Sequence, residues 1–183
     1  MDFIELVKKR KSVRGYSDKP VENEKLNYIL ECARRSPSAG NKQVARFVIV
    51  KDKNLRERIV KACPFFNSFL SSAPIIVVAC AAEPSSMHNE QDYYLVDVAI
   101  AMEHLVLGAA EKGLGTCWIA AFDERKVKEI LGIPKKARVV AITPLGYPGG
   151  EKLFPKAMGF IAKLRGKKKL AEIAFLDRWG NGK

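Results

Sequence analysis

The chain has 183 residues, 48% of them hydrophobic and 28% charged, with Lys and Arg outnumbering Asp and Glu 32 to 20 for a formal net charge of +12. Such a composition supports one globular domain, expected over residues 1–183, with apolar residues enough for a sizeable core, and it excludes a disordered chain. No apolar run reaches ~18 residues without a charge and the first residues lack the apolar stretch of an export signal, so no membrane partner is expected and the protein is placed in the cytoplasm.

The first predicted element is a helix through "FIELVKKR", with Asp2 as its cap and Phe3, Ile4, Leu6 and Val7 as an apolar stripe. Lys8, Lys9 and Arg10 suit the negative end of that helix dipole, whereas Ser12 and Arg14 lie beyond it. Guanidinium forks beside a hydroxyl also suit a phosphate, so the stretch alone leaves both readings open. After Pro20, Leu26, Ile29, Leu30 and Ala33 share one helical face, and the helix ends in the polar turn at Pro37, Ser38, Gly40 and Asn41. A strand, "ARFVIVKD", follows, then a helix through "KNLRERIVKA" capped by Asp52. "APIIVVACAA" reads as a strand covered on both faces.

From Asp92 to Lys112 runs the longest predicted helix, apolar nearly all round, headed by an acid and stopped by Gly113. Asp97, His104 and Glu111 recur along it every seven residues, a spacing that raises the idea of a polar relay. "GTCWIA" is expected as a strand, "DERKVKEILG" as a helix capped by Asp123, and "ARVVAITPLGYP" as the last strand. Alternating strands and helices argue α/β or α+β. The "GLG" at Gly113 to Gly115 follows a helix and precedes a strand, the reverse of a dinucleotide-binding turn, and no P-loop, HExxH or GxSxG pattern is present. Cys32, Cys63, Cys80 and Cys117 form no CxxC pair, so free thiols are expected, with no metal and no disulfide framework. The excess positive charge collects in "KKRKSVR" and "KLRGKKK", two solvated faces or two parts of one anion site.

Four ordered stretches carry a resemblance: "RKSVRGY", "SPSAGNKQ", "GLGTCWIAAFD", and "LGIP" followed by "ITPLGYP". Together they resemble the FMN-dependent nitroreductase family over nearly the whole chain. The resemblance implies an α+β fold, a mixed central sheet surrounded by helices, built as an intertwined homodimer with FMN at the subunit interface. It implies that Arg10, Lys11, Ser12 and Arg14 hold the flavin phosphate and ribityl chain, joined by Arg165 and Lys167, with Lys168 or Lys169 as substitutes. It further implies that Pro37, Ser38, Ala39, Gly40 and Asn41 reach the isoalloxazine from the neighbouring subunit, and that a backbone N–H at Ala120 or Ala121 faces flavin N5. Small residues admit close approach there, and an amide side chain matches the donors and acceptors of the pyrimidine ring. The chain departs from the pattern where many members place Gln-Pro-Trp, since Gln43 leads to Val44, Ala45 and Arg46. It departs again at Lys169, which stands before Leu170 in place of proline.

The activity this implies is transfer of a hydride from NADH or NADPH to FMN and then to a small-molecule electron acceptor such as a nitroaromatic or quinone, by alternate binding at one site. A specialised flavoenzyme of the same fold, a dehalogenase or a flavin-fragmenting enzyme, is the alternative, with Tyr93 and Tyr94 as candidate pocket residues. A basic anion-binding or nucleic-acid-binding module is the reading of a different class. The aromatic content of 9% includes no interleaved basic and aromatic platform, so no nucleic-acid partner is expected. Residues from about 150 to 183 are expected to form an exchange arm on the partner subunit through Ile173, Phe175, Leu176 and Trp179.

Overall fold

The run "IIVVACA" forms β2 (Ile75–Ala81), and every one of its residues is buried. It lies inside a four-stranded sheet of order β1, β2, β4, β3, in which β1 is Ala45–Val50, β3 is Gly115–Thr116 and β4 is Arg138–Gly146. The computed structural model describes residues 2–84, 91–149 and 166–180. These fall into two compact units, Met1–Leu153 and Phe154–Lys183. In the first unit the strand ladders are antiparallel, Val48 opposite Val78 and Val78 opposite Ile142, while Ser12 and Thr116 add one parallel bridge. The four named strands are antiparallel throughout, the isolated Ser12 bridge being the parallel element beside them, and antiparallel pairing decides for α+β over α/β.

Among the described residues five α-helices pack around it: α1 (Phe3–Lys9), α2 (Asn23–Arg34), α3 (Lys53–Lys61), α4 (Tyr93–Glu111) and α5 (Glu124–Leu131). Successive strand residues point to opposite faces. Ile75 and Val77 of β2 pack with Ile29, Ala33, Leu105 and Ala109 from α2 and α4, and Ala79 and Ala81 pack with Val98 and Met102. The alternate residues Ile76, Val78 and Cys80 are also buried, and α5 packs on β4 with α3 beside it. Each fully buried Leu, Ile or Phe side chain contributes roughly 1.5–3 kcal/mol relative to exposure.

Helix α4 is long and apolar enough by composition to cross a membrane. Here it is a core element instead: ten of its residues are buried, among them Asp97, and it contacts all four strands. It stops at Gly113, whose φ of +74° only glycine adopts cheaply, with the Leu114 N–H donating to Ala109 O at 2.8 Å. Asp52 and Asp123 cap α3 and α5 as expected, accepting from the N–H of Leu55 at 2.8 Å and of Lys126 at 3.1 Å. Asp2 and Asp92 occupy N-cap positions without a side-chain capping bond. No residue of α1 is buried, so the stripe of Phe3, Ile4 and Val7 stays exposed.

The expected strand "GTCWIA" is shorter than the sequence suggests. Its ladder to β4 breaks after Thr116 because Pro144 has no N–H to give and the Cys117 N–H donates to Thr143 Oγ1 at 3.0 Å. Pairing resumes at Ile119, which exchanges two 2.9 Å bonds with Ile142. All four cysteines are free, with Cys80 and Cys117 buried and Cys32 and Cys63 half-buried.

In the second unit, Leu170–Glu172 form a 3-10 turn whose Lys169 N–H donates to Glu172 Oε2 at 2.7 Å. The rings of Phe175 and Trp179 lie 5.0 Å apart, and Ile173, Leu176 and Trp179 are exposed.

Candidate functional site

The basic stretch that follows α1 is not a loose tail. The Val13 N–H donates to Thr116 O at 2.8 Å and Ser12 bridges Thr116, so residues 12–13 run alongside β3. Further on, the Ser17 N–H donates to Tyr147 O at 3.0 Å and the Gly149 N–H to Gly15 O at 3.1 Å, which fixes the other end of the stretch beyond β4. Tyr16 is buried, with its hydroxyl donating to Val13 O at 2.7 Å. Between these anchors Arg14 is half-buried, as is Arg10 ahead of them, while Lys11 and Ser12 are exposed. Burial pushes the Cys117 thiol up, and the Arg14 and Arg10 charges with a Ser12 hydrogen bond act against it, so these groups share one neighbourhood. Burial also raises Tyr16, with the Arg14 charge opposing. The fold thus concentrates cationic forks and a hydroxyl at the β3 edge.

Beyond β3 and the Ile119 bridge the chain runs on to Ala120 and Ala121. Ile119 O accepts from the Ile142 N–H, and in a planar trans peptide the following N–H points the opposite way. The Ala120 N–H is therefore aimed away from β4, and among the described residues neither it nor the Ala121 N–H donates to a backbone carbonyl. Ala121 O is held from behind by Asn67, a buried residue of the 3-10 turn Phe65–Ser72, whose Nδ2 donates to it at 3.2 Å. The Asp123 N–H donates to Ala62 O at 2.8 Å and pins the next residues.

The turn at Pro37 to Asn41 is built differently. Ser38 is extended, Ala39–Asn41 make one 3-10 turn, and Gly40, Asn41 and Gln43 take left-handed φ values of 56°, 53° and 49°. Asn tolerates that region through local hydrogen bonding, and here Asn41 Oδ1 accepts from Gln43 Nε2 at 3.0 Å. Ser38 Oγ accepts from the Gln43 N–H at 2.9 Å, and the Ala39 N–H donates to Asp97 Oδ1 at 2.9 Å. Beside the turn is a cavity of about 300 Å³ lined by Ser38, Gln43, Arg46, Phe47 and Asp97 among others. Arg46 donates from Nη1 to Gln43 O at 2.7 Å and Ala45 O at 2.9 Å, tying the departing segment to its own carbonyls.

The structure brings Arg10, Lys11, Ser12 and Arg14 to β3, which leads through the Ile119 bridge to Ala120 and Ala121, and it places Pro37 to Asn41 elsewhere. The turn sits just ahead of β1, at one sheet edge, while the basic stretch pairs at the other. Three strand spacings separate β1 from β3 and a fourth reaches the paired stretch, roughly 19 Å in all. Arg165 lies outside the described residues, and Lys167 is exposed in the second unit. The relay idea along α4 does not hold. Residues seven apart are about 10 Å apart along a helix, and the three groups serve separate partners. Asp97 accepts from Ala39, His104 Nδ1 meets Ile100 O of its own helix at 2.9 Å, and Glu111 accepts from Tyr28 at 2.5 Å. Tyr94 is buried with its hydroxyl toward Arg138, which is a packing role. Asn67 and Thr143 carried no signal in the sequence, because an isolated Asn or Thr has no periodic or motif context; only the tertiary contacts mark them.

The sequence profile of the nitroreductase family matches residues 7–64 and 62–147. A relative from Archaeoglobus fulgidus, named "Putative NADH dehydrogenase/NAD(P)H nitroreductase", is 33% identical over 160 residues, covering 85% of this chain and 91% of its own. A nitroreductase family protein from Clostridium novyi NT matches in structure with a TM-score of 0.78 and 38% identity, over 100% of this chain and 97% of its own. Iodotyrosine deiodinase bound to FMN and 3-iodo-L-tyrosine matches with a TM-score of 0.71 and 29% identity, over 83% of this chain and 93% of its own. With its motifs gathered at the β3 edge and at the turn ahead of β1, and with these likenesses across almost its full length, the chain belongs to the nitroreductase family.

Proposed function

We propose that the protein is an NAD(P)H-dependent FMN oxidoreductase that reduces a small organic acceptor, such as a nitroaromatic or quinone, with reductant and acceptor binding alternately at one site. The observation that carries this reading is the pairing of Val13 with Thr116, which sets the stretch from Arg10 to Arg14 beside β3, the strand that precedes Ala120 and Ala121. The donor set fits a phosphorylated flavin. Arg10, Arg14, Lys11 and the Ser12 hydroxyl can take the phosphate and ribityl oxygens, and Arg165 and Lys167 are assigned to the same phosphate. The outward Ala120 N–H, with Ala121 beside it, supplies a fixed donor for flavin N5. Asn41 and the small residues from Pro37 to Gly40 offer amide groups to the ring edge. When bound, FMN supplies the hydride-carrying centre, and the protein supplies orientation and electrostatics.

Because one chain presents the phosphate donors and the turn at opposite sheet edges, a single flavin contacting both requires a second copy of the chain. The homodimer, with residues from about 150 onward as an exchange arm, is part of this proposal. A second reading, reductive dehalogenation on the same scaffold, is favoured by the likeness to iodotyrosine deiodinase. Assays with a nitroaromatic, a quinone and an iodinated phenol under NADH or NADPH separate the two.

The test is a paired titration of apo protein with FMN and with riboflavin, which lacks the phosphate. Arg14→Ala is expected to weaken FMN binding roughly tenfold to a hundredfold, about 1.5–3 kcal/mol, and riboflavin binding much less. Lys53→Ala, on α3, serves as the control. Equal losses for both ligands in a folded Arg14 variant would mean that these cations only terminate α1.

A further inference from the structure

Asp97 is 4% exposed, inside the core helix α4, on a helix whose other buried residues are almost all apolar. A buried carboxylate is costly unless its oxygens are satisfied by donors. Its hydrogen bond to the Ala39 N–H, 2.9 Å from Oδ1, crosses from the middle of the fold to the turn at Ser38 to Asn41. Asp97 is the core-helix group that reaches the turn, whereas Arg46 of β1 holds its far end through Gln43 O at 2.7 Å. Gly40, Asn41 and Gln43 are all in the left-handed region, which costs non-glycine residues of order 1–3 kcal/mol each unless the surroundings fix it. The bonds from Gln43 to Ser38 and Asn41 lie within the turn itself and set its shape, not its place on the core helix.

From this geometry we infer that Asp97 is a positioning residue, locking the Ser38 to Asn41 turn in the conformation that presents it to the flavin ring. This rests on the reading of the turn as a flavin contact and goes beyond it by naming the group that sets the turn's place. Carboxylate chemistry suits the task. A charge-assisted bond to an N–H is stronger than a neutral one, and a core helix is a rigid base. An unliganded turn held this way loses little freedom on binding, which is how preorganisation raises affinity.

The test uses full-length apo protein titrated with FMN and with riboflavin, followed by flavin fluorescence quenching and by circular dichroism. Since the turn is assigned to the ring rather than the phosphate, Asp97→Ala is expected to weaken both ligands by the same factor, roughly tenfold. This pattern is distinct from Arg14→Ala, which acts on FMN. Asp97→Asn keeps an acceptor oxygen in the same place and is expected to restore most of the affinity. Should Asp97→Ala fail to fold, Ala39→Pro deletes the donor from the other side. Proline suits the first residue of the turn, and the extended Ser38 before it is compatible with proline. Ala39→Pro is expected to give the same equal loss for both flavins. Folded variants that bind both flavins as the wild type does, while Arg14→Ala still loses FMN, would overturn the role of Asp97 alone. A wild-type protein that binds neither flavin would overturn the flavin reading and this inference together.

Discussion

At Asn67 a single buried amide braces the segment that follows Ala120. Its Nδ2 reaches Ala121 O across 54 positions of sequence, and the residue is 5% exposed. Removing the donor leaves the Ala121 carbonyl without this partner and loosens the peptide next to the outward N–H. Asn67→Ala is expected to cost about 1–3 kcal/mol of stability. Urea unfolding of the two proteins checks this, and a loss under about 0.5 kcal/mol, the range of surface substitutions, would show that the contact is incidental. Bound flavin in the surviving fold is expected to show a shifted visible spectrum.

Close approach governs the junction of elements at the β3 edge. A Cβ built on Gly115 meets the Val13 side chain at 2.8 Å, from both Cβ and Cγ2, closer than real contacts allow. Gly115→Ala must therefore push the Val13 segment off β3, and with it Arg14. The expected outcome is a folded protein whose FMN affinity falls by the same order as in Arg14→Ala; unchanged affinity would separate the basic stretch from the strand. A second junction, between α2 and the end of β4, responds to pH. Tyr147 donates to Glu22 Oε2 at 2.6 Å, Lys25 donates to the same hydroxyl, and Lys19 lies over the ring at 4.2 Å. The Tyr147 hydrogen bond leads the causes that hold Glu22 down at about 2. Since folding lowers this pKa, the stabilisation is complete above the ordinary carboxylate value and is lost as pH falls toward about 2. Melting temperatures of wild type and Glu22→Gln are expected to converge over that acid interval, and parallel curves would refute the linkage.

Across the whole molecule, the exposed apolar stripe of α1 and the exposed Leu95 and Val96 of α4 are surfaces that a partner copy can cover. The opposite-edge placement of the two regions proposed to contact the flavin makes the same demand. Sedimentation of the flavin-loaded protein at micromolar concentration is expected to give twice the chain mass of 20.4 kDa. Ile4→Glu with Val7→Glu is expected to lower both dimer content and bound flavin. A stable flavin-loaded monomer would contradict the shared site.

Periodicity and punctuation made much of the fold legible. The apolar run of β2, the all-round apolarity of α4, the caps at Asp52 and Asp123 and the stop at Gly113 depend on neighbours within a few residues, which a sequence displays directly. Ordered motifs likewise identified the family and the basic stretch. What the sequence could not show were contacts between distant positions. The break in the "GTCWIA" strand depends on Thr143 and Pro144 standing opposite Cys117, and the bracing of Ala121 and Ala39 depends on Asn67 and Asp97 arriving from other elements. Asp97 was visible only as a heptad-spaced acid, because helical spacing tells which residues share a face and not which loop will lie across it. That a single chain holds its basic stretch and its Ser38 turn on opposite sheet edges was likewise decided by strand order, a property of the assembled sheet that no local pattern encodes.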